Sequence, residues 1–64
     1  MTANDIYYDH STKTLIKILE VMSDKVRYMV LYEGITTNYT DYKKYLVGEL
    51  KKYGFKKMAI GEYC

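Results

Sequence analysis

The sequence predicts a small α+β domain in which one amphipathic helix packs against a bent antiparallel sheet, with the element order β-β-β-α-β. Two segments rich in β-branched and apolar residues, separated by a short polar turn, predict a β-hairpin. A later segment with apolar residues at helical spacing predicts the helix. The chain of 64 residues suffices for a single globular domain, residues 1–64. This order favours an SH3-like or OB-like half-barrel.

The first three strands are predicted in the N-terminal half of the chain. Ile6-Tyr7-Tyr8 is a short β-prone segment, and the turn-forming residues 9–14 follow it. The second and third strands are predicted over residues 15–22 and 26–33. A helix over residues 14–22 is the alternative, because four apolar residues there also fit a 3.6-residue period. The β-branched content and the strong strand that follows favour the hairpin.

The pairing register of this hairpin decides which side chains form the core. If Asp24 and Lys25 form a two-residue turn, Val21 lies opposite Tyr28 on an apolar face. A slip of one residue would exchange the two faces, because side chains alternate along a strand. The expected register leaves a second apolar face, which comprises Ile16, Ile18, Met29 and Leu31. Since one helix covers one face, we expect a homodimer or another small oligomer.

The helix is predicted over residues 39–53, after a connection at residues 34–38. Thr40 is suited to be its N-cap, and Gly54 is suited to end it. At 100° per residue, one face of this helix collects six side chains: Tyr39, Tyr42, Tyr45, Leu46, Leu50 and Tyr53. The final strand is predicted over residues 55–62.

The composition argues against most catalytic chemistry. The chain has one cysteine and one histidine, so neither an internal disulfide nor a four-ligand zinc site within one chain is available. Asp9-His10-Ser11 contains the residue types of a hydrolytic triad, but sequence neighbours diverge and favour a turn. We find no nucleotide-binding or metalloprotease motif. We therefore predict a protein that is not an enzyme and has no cofactor.

The expected location is the cytoplasm. No stretch approaches about 18 consecutive apolar residues, so we expect no membrane span. Residues 1–9 lack the basic start and apolar run of a signal peptide. A single thiol is also typical of a reducing compartment.

Charge and aromatic residues mark the candidate binding residues. Residues 42–64 contain six lysines and two glutamates, a net charge of +4, and the whole chain contains nine tyrosines. The candidate partner-binding residues are Lys43, Lys44, Lys51, Lys52, Lys56, Lys57, Tyr7, Tyr8 and Tyr32. Lysines neutralise phosphates and tyrosines stack on unpaired bases, which would suit a nucleic acid. A solvated helix face and an acidic protein surface are the alternatives, and the single arginine disfavours base reading.

Three segments resemble small β-barrel proteins encoded by bacteriophages of low-GC hosts. They are Ile6-Tyr7-Tyr8-Asp9, Thr14-Leu15-Ile16-Lys17-Ile18-Leu19-Glu20-Val21 and Val26-Arg27-Tyr28-Met29-Val30. The Tyr- and Lys-rich helix that follows is in keeping with that resemblance, which implies an early-type viral protein that redirects or blocks a host component in the host cytoplasm. Our first hypothesis is therefore a non-enzymatic inhibitor or modulator that binds a host protein. The alternative is a small nucleic-acid-binding module that uses the lysines and tyrosines of its C-terminal third.

Overall fold

The computed structural model describes residues 1–58 and shows a small α+β fold, which confirms the predicted class. Along the chain the elements are β1 (Ile6–Asp9), β2 (Thr14–Val21), β3 (Lys25–Tyr32), β4 (Ile35–Tyr42), α1 (Lys43–Lys52) and β5 (Lys56–Met58). The strands form one antiparallel sheet in the order β4-β3-β2-β1-β5, so β4 and β5 are its edges. The helix is too short to cross a membrane.

The hairpin of β2 and β3 is confirmed, and residues 14–21 are a strand and not the alternative helix. The predicted register, however, is wrong. The turn residues are Ser23 and Asp24, because the amide of Met22 donates a hydrogen bond of 2.8 Å to the carbonyl oxygen of Lys25. Val21 consequently lies opposite Val26 and not opposite Tyr28.

A β-bulge in β2 further changes which side chains share a face of the hairpin. The register shifts between Ile18 and Glu20, so that Leu19 is the additional residue of β2. As a result one face carries Ile16, Ile18, Val21, Val26, Tyr28 and Val30, and α1 packs on that face. Ile16 and Ile18 therefore lie in the core, which corrects their predicted place on an uncovered face. Met29 and Leu31, which alternate with core residues, remain half-buried on the opposite face.

The fourth strand lies where a connection and the start of the helix were predicted, and both of those predictions are wrong. Glu33 and Gly34 have positive φ angles of 51° and 78° and form a two-residue turn. This turn sends the chain straight back along β3, with Ile35 opposite Tyr32 and Tyr42 opposite Lys25. Thr40, the predicted N-cap, therefore lies within β4.

The helix begins at Lys43, directly after β4, without a side-chain cap. Its first amide instead donates a hydrogen bond of 3.0 Å to the carbonyl oxygen of Asp24, in the turn between β2 and β3. The predicted end is confirmed, because Gly54 follows the helix with a φ of 73°. The amide of Phe55 donates to the carbonyl oxygen of Leu50 at 2.9 Å and leads the chain into β5.

The core lies between α1 and the sheet. Its buried members are Ile16, Ile18, Val26, Tyr28, Leu46 and Leu50. Leu46 and Leu50 are thus on the packed side of the helix, as predicted, whereas Tyr42, Tyr45 and Tyr53 are exposed. The final strand is present at Lys56–Met58, and residues 59–62 of the predicted strand lie outside the described residues.

Candidate interaction surface

An open groove of about 490 Å³ lies between the sheet and the C-terminal end of α1. We call it the aromatic groove. Its apolar and aromatic lining consists of Val30, Tyr32, Ile35, Tyr39, Tyr53 and Phe55. Thr14 and Thr37 line the floor, and Asp9 and Thr12 lie at one end.

The groove exists because the helix is shorter than the strands beneath it. Ten helical residues extend about 15 Å. Eight residues of β3 or β4 extend about 26 Å. Tyr32, Ile35 and Tyr39 alternate in phase with the core residue Tyr28, so they point to the same side of the sheet as α1. The helix ends before it reaches Tyr32 and Ile35, and their side chains remain uncovered.

The exposure of these side chains is unusual for apolar groups. Ile35 is 66% exposed, and Tyr32, Tyr39 and Tyr53 are each about half exposed. Tyr39 is held in place because its ring stacks on Tyr28, with a distance of 5.6 Å between ring centroids. Contiguous exposed apolar surface of this kind marks interaction sites on soluble proteins.

The end of the groove is formed by a hydrogen-bonded polar turn after β1. One carboxylate oxygen of Asp9 accepts hydrogen bonds from the amide and the hydroxyl of Ser11, at 3.1 and 2.8 Å. The other accepts a hydrogen bond from the hydroxyl of Thr12 at 2.9 Å. These hydrogen bonds lower the pKa of Asp9, with the Ser11 hydroxyl as the largest cause. Asp9-His10-Ser11 thus forms the predicted turn, and the ring of His10 packs edge-on against Tyr8.

The structure distributes the six predicted lysines over several surfaces. Lys44, Lys51 and Lys52 lie exposed on the side of α1 that faces away from the sheet. Lys43 is half-buried at the helix start. The remaining two, Lys56 and Lys57, are successive residues of β5 and point to opposite faces of the sheet.

Lys57 is engaged by a neighbouring acid. Its Nζ lies 3.6 Å from the Oδ2 of Asp5, just before β1, and the Lys57 side chain is exposed whereas that of Asp5 is half-buried. Hydrogen bonds from Thr2 are the main reason why the pKa of Asp5 is lowered, and Lys57 adds to the effect. The lysines therefore do not form one continuous stripe from residue 43 to residue 57.

The three predicted tyrosines are likewise separated. Tyr7 and Tyr8 are successive residues of β1 and point to opposite faces, and Tyr7 packs against the core. Burial, reinforced by Asp5, raises the pKa of Tyr7. Tyr32 alone among the nine predicted residues lines the aromatic groove.

Sequence reasoning missed the other groove residues, above all Ile35, Tyr39 and Tyr53. The signal that identifies the first two is the pair Glu33-Gly34, since glycine in a two-residue turn indicates a hairpin. A hairpin there places Ile35 beside Tyr32, as observed.

A second opening, of about 610 Å³, lies at the start of α1 and is lined by Ser23, Asp24, Tyr42, Lys43, Lys44 and Tyr45. The Nζ of Lys25 lies 5.5 Å from the ring centroid of Tyr42. The carboxylate of Glu49, one helical turn away, raises the pKa of Tyr45. Within residues 1–58 no cluster of three His, Cys, Asp or Glu side chains could hold a metal ion.

Comparison of this chain with protein families, with curated proteins and with solved structures found no match. The resemblance to small phage proteins therefore stays a prediction.

Proposed function

We propose that this chain is a non-enzymatic interaction protein that binds another protein through the aromatic groove. The observation that carries this proposal is the exposed set of Tyr32, Ile35, Tyr39 and Tyr53 on two strands and a helix end. Tyrosine is enriched at the centres of protein interfaces, where its ring supplies contact area and its hydroxyl a hydrogen bond.

The chemistry of the groove favours an apolar segment of the partner. Among residues 1–58, Asp9 is the only charged residue of the lining, and it lies at one end of the groove, where its two carboxylate oxygens accept hydrogen bonds within the turn. Away from that end, the lining therefore offers no counter-ion to a charged ligand. A loop or short peptide with apolar or aromatic side chains suits the groove, with the tyrosine hydroxyls at its rim as hydrogen-bonding groups.

The resemblance to phage proteins supports a host protein as the partner. In that setting the chain acts as an inhibitor or modulator in the host cytoplasm, because occupying a surface requires neither catalytic groups nor a large fold. The identity of the host protein follows from capture and not from the geometry of the groove.

The proposal is tested by capture from a bacterial lysate with tagged chain, followed by mass spectrometry and a titration with the purified partner. Ile35→Glu places a charge in the groove and should weaken binding at least about tenfold, as expected for an interface hot spot. Val47→Glu is the matched control, since Val47 is an exposed apolar residue of α1 outside the groove. A folded Ile35→Glu variant with unchanged affinity would exclude the groove as the binding site.

A nucleic-acid-binding module is the second candidate, supported by Lys44, Lys51, Lys52 and Tyr45 on the outer side of α1. If three of these lysines contact phosphates of a single strand, the logarithm of affinity should fall with the logarithm of salt with a slope of about −2. Titration with single- and double-stranded DNA and RNA across a salt series measures that slope. Binding without salt dependence, or binding that survives neutralisation of the lysines, would exclude this function.

A further inference from the structure

Within the described part of the chain, the outer backbone edge of β4 has no pairing partner. Among residues 1–58 the backbone partner of β4 is β3 alone, and β4 pairs with β3 over its full length of eight residues. Seven of these residues are exposed, and Asp41 is half-buried. The second edge of the sheet, β5, comprises only three residues.

The tight turn at Glu33-Gly34 fixes which backbone groups of β4 point outward. In a two-residue hairpin the residues that flank the turn form a hydrogen-bonded pair, here Tyr32 and Ile35. Alternation then directs the N–H and C=O groups of Ile35, Thr37 and Tyr39 to β3. The corresponding groups of Thr36, Asn38 and Thr40 point away from the sheet, where another extended strand can bind them.

This edge lacks the features that prevent strand pairing. Exposed edges are usually protected by lysine, proline, a bulge or very short length. Ile35–Thr40 contains no charged residue and no proline, and its register with β3 is unbroken. It also contains one isoleucine and three threonines, which favour extended structure.

We propose that β4 pairs with β4 of a second copy of this chain, antiparallel and around a two-fold axis near Asn38. Charge supports both the occupant and the direction. Glu33 precedes the strand, and Lys43 and Lys44 follow it. Antiparallel pairing brings Glu33 of one copy beside Lys43 and Lys44 of the second copy, twice per dimer. Parallel pairing would instead place like charges side by side.

The association is independent of the aromatic groove, because it uses the backbone of β4 and not the side chains that line the groove. Sedimentation velocity of the full chain at increasing concentration should show a shift from 7.6 kDa to twice that mass. Amide hydrogen exchange, followed by NMR, should slow at Thr36, Asn38 and Thr40 as concentration rises. A single 7.6 kDa species throughout would overturn the proposal. Slow exchange that is independent of concentration would also overturn it, because the chain itself would then cover the edge.

Two variants at Asn38 test the edge directly. Asn38→Pro removes one outward N–H while the ladder to β3 stays intact, and Asn38→Lys sets two lysines near the proposed axis. Each should weaken dimerisation at least about tenfold. Gly48→Lys, on the exposed outer side of α1 where an added side chain meets no neighbour, is the control for added charge and should dimerise normally. Dimerisation that is unchanged in the folded Asn38 variants would overturn the proposal.

A charge exchange separates a second copy from an unrelated peptide strand. Glu33→Lys and Lys44→Glu should each weaken the dimer, whereas the double variant restores an opposite-charge contact between positions 33 and 44, twice per dimer, and should recover part of the affinity. An additive loss in the double variant would contradict antiparallel self-pairing. In that case the edge of β4 would be a site for an extended segment of another protein.

Discussion

The hydroxyl of Tyr28 donates a hydrogen bond of 2.7 Å to the Oδ2 of Asp41, linking the middle of β3 to the end of β4 just before the helix. The Tyr28 side chain is buried, and its ring stacks on Tyr39. Burial is the main cause that raises the pKa of Tyr28, and the hydrogen bond to the Asp41 carboxylate raises it further. The phenol is therefore held in its neutral form at the junction of sheet and helix.

This pair predicts a loss of stability at alkaline pH. The pKa of Tyr28 is higher in the folded chain than in the unfolded chain, where it is near 10. Unfolding therefore becomes more favourable once the phenol of the unfolded chain ionises. The contribution of the neutral Tyr28 phenol to the free energy of unfolding is thus complete below pH 10 and decreases as pH rises above it. Urea unfolding at a series of alkaline pH values should show this decrease.

Tyr28→Phe is the matched variant for that measurement. It retains the ring but removes the hydroxyl, so Asp41 loses its partner and the free energy of unfolding at neutral pH should fall by about 1–2 kcal/mol. The two proteins share every other ionisable group, so the difference between their free energies of unfolding isolates Tyr28. A difference that stays constant through the alkaline range would contradict the assigned pKa shift.

The acidic turn at Asp9 predicts the opposite pH dependence. Hydrogen bonds from Ser11 and Thr12 lower the pKa of Asp9 below its ordinary value of 3.8. The contribution of the ionised Asp9 to the free energy of unfolding is therefore present above pH 3.8, the ordinary pKa. It is lost as pH falls through the lower pKa of the folded chain. Asp9→Asn should melt earlier than the parent chain at neutral pH, and the gap between the two melting temperatures should narrow as the solution is acidified.

Ser11→Ala provides an independent check of the same turn, because it removes the largest cause of the shift and leaves the carboxylate. NMR titration of Asp9 in this variant should show a pKa closer to its ordinary value. An unchanged pKa would assign the effect to the Ser11 amide or to Thr12 instead.

The elements that could be predicted from sequence are those whose local pattern and tertiary environment agree. The second and third strands and the burial of Leu46 and Leu50 follow from residue type and periodicity. Gly54 marks the end of the helix because it can adopt a positive φ at low cost. These features depend on few distant contacts.

The elements that escaped prediction depend on contacts across the sheet. Thr40-Asp41 has the composition of a helix start, yet pairing with β3 and the hydrogen bond from Lys43 to Asp24 hold these two residues in a strand. The aromatic groove could not be predicted without β4. The bulge at Leu19 has no glycine to mark it, so the faces of β2 could not be assigned from alternation alone.

The packing of the helix predicts a sharp contrast between its two sides. Leu46→Ala and Leu50→Ala should each cost about 2–5 kcal/mol, as buried leucine truncations do, and should largely unfold a domain of this size. Val47→Ala is the matched control, because Val47 is 38% exposed. This variant should lose much less stability than the two leucine variants. Thermal melting monitored by circular dichroism compares the three variants.

The lysines of the helix provide the complementary test. Replacing Lys43, Lys44, Lys51 and Lys52 together with glutamine should leave the melting temperature almost unchanged, since surface substitutions usually change stability by less than about 0.5 kcal/mol each. The same variant should lose nucleic-acid binding if that binding uses the outer side of α1. A quadruple variant that unfolds early would show that the lysines contribute to packing.

The bulge predicts that one residue of β2 can be deleted at low cost. Without Leu19, Glu20 follows Ile18 directly. All the residue pairs between β2 and β3 are then retained, and Val21 still points into the core. Deleting Lys17 instead turns Ile16 out of the core, which should cost about 2–5 kcal/mol and leave little folded protein. Both deletions shorten the same strand by one residue, so their difference isolates the register. Amide dispersion in NMR spectra and urea unfolding measure the stability of each deletion variant. Equal losses of stability in the two variants would show that Leu19 itself contributes through its half-buried side chain and not only through its place in the bulge.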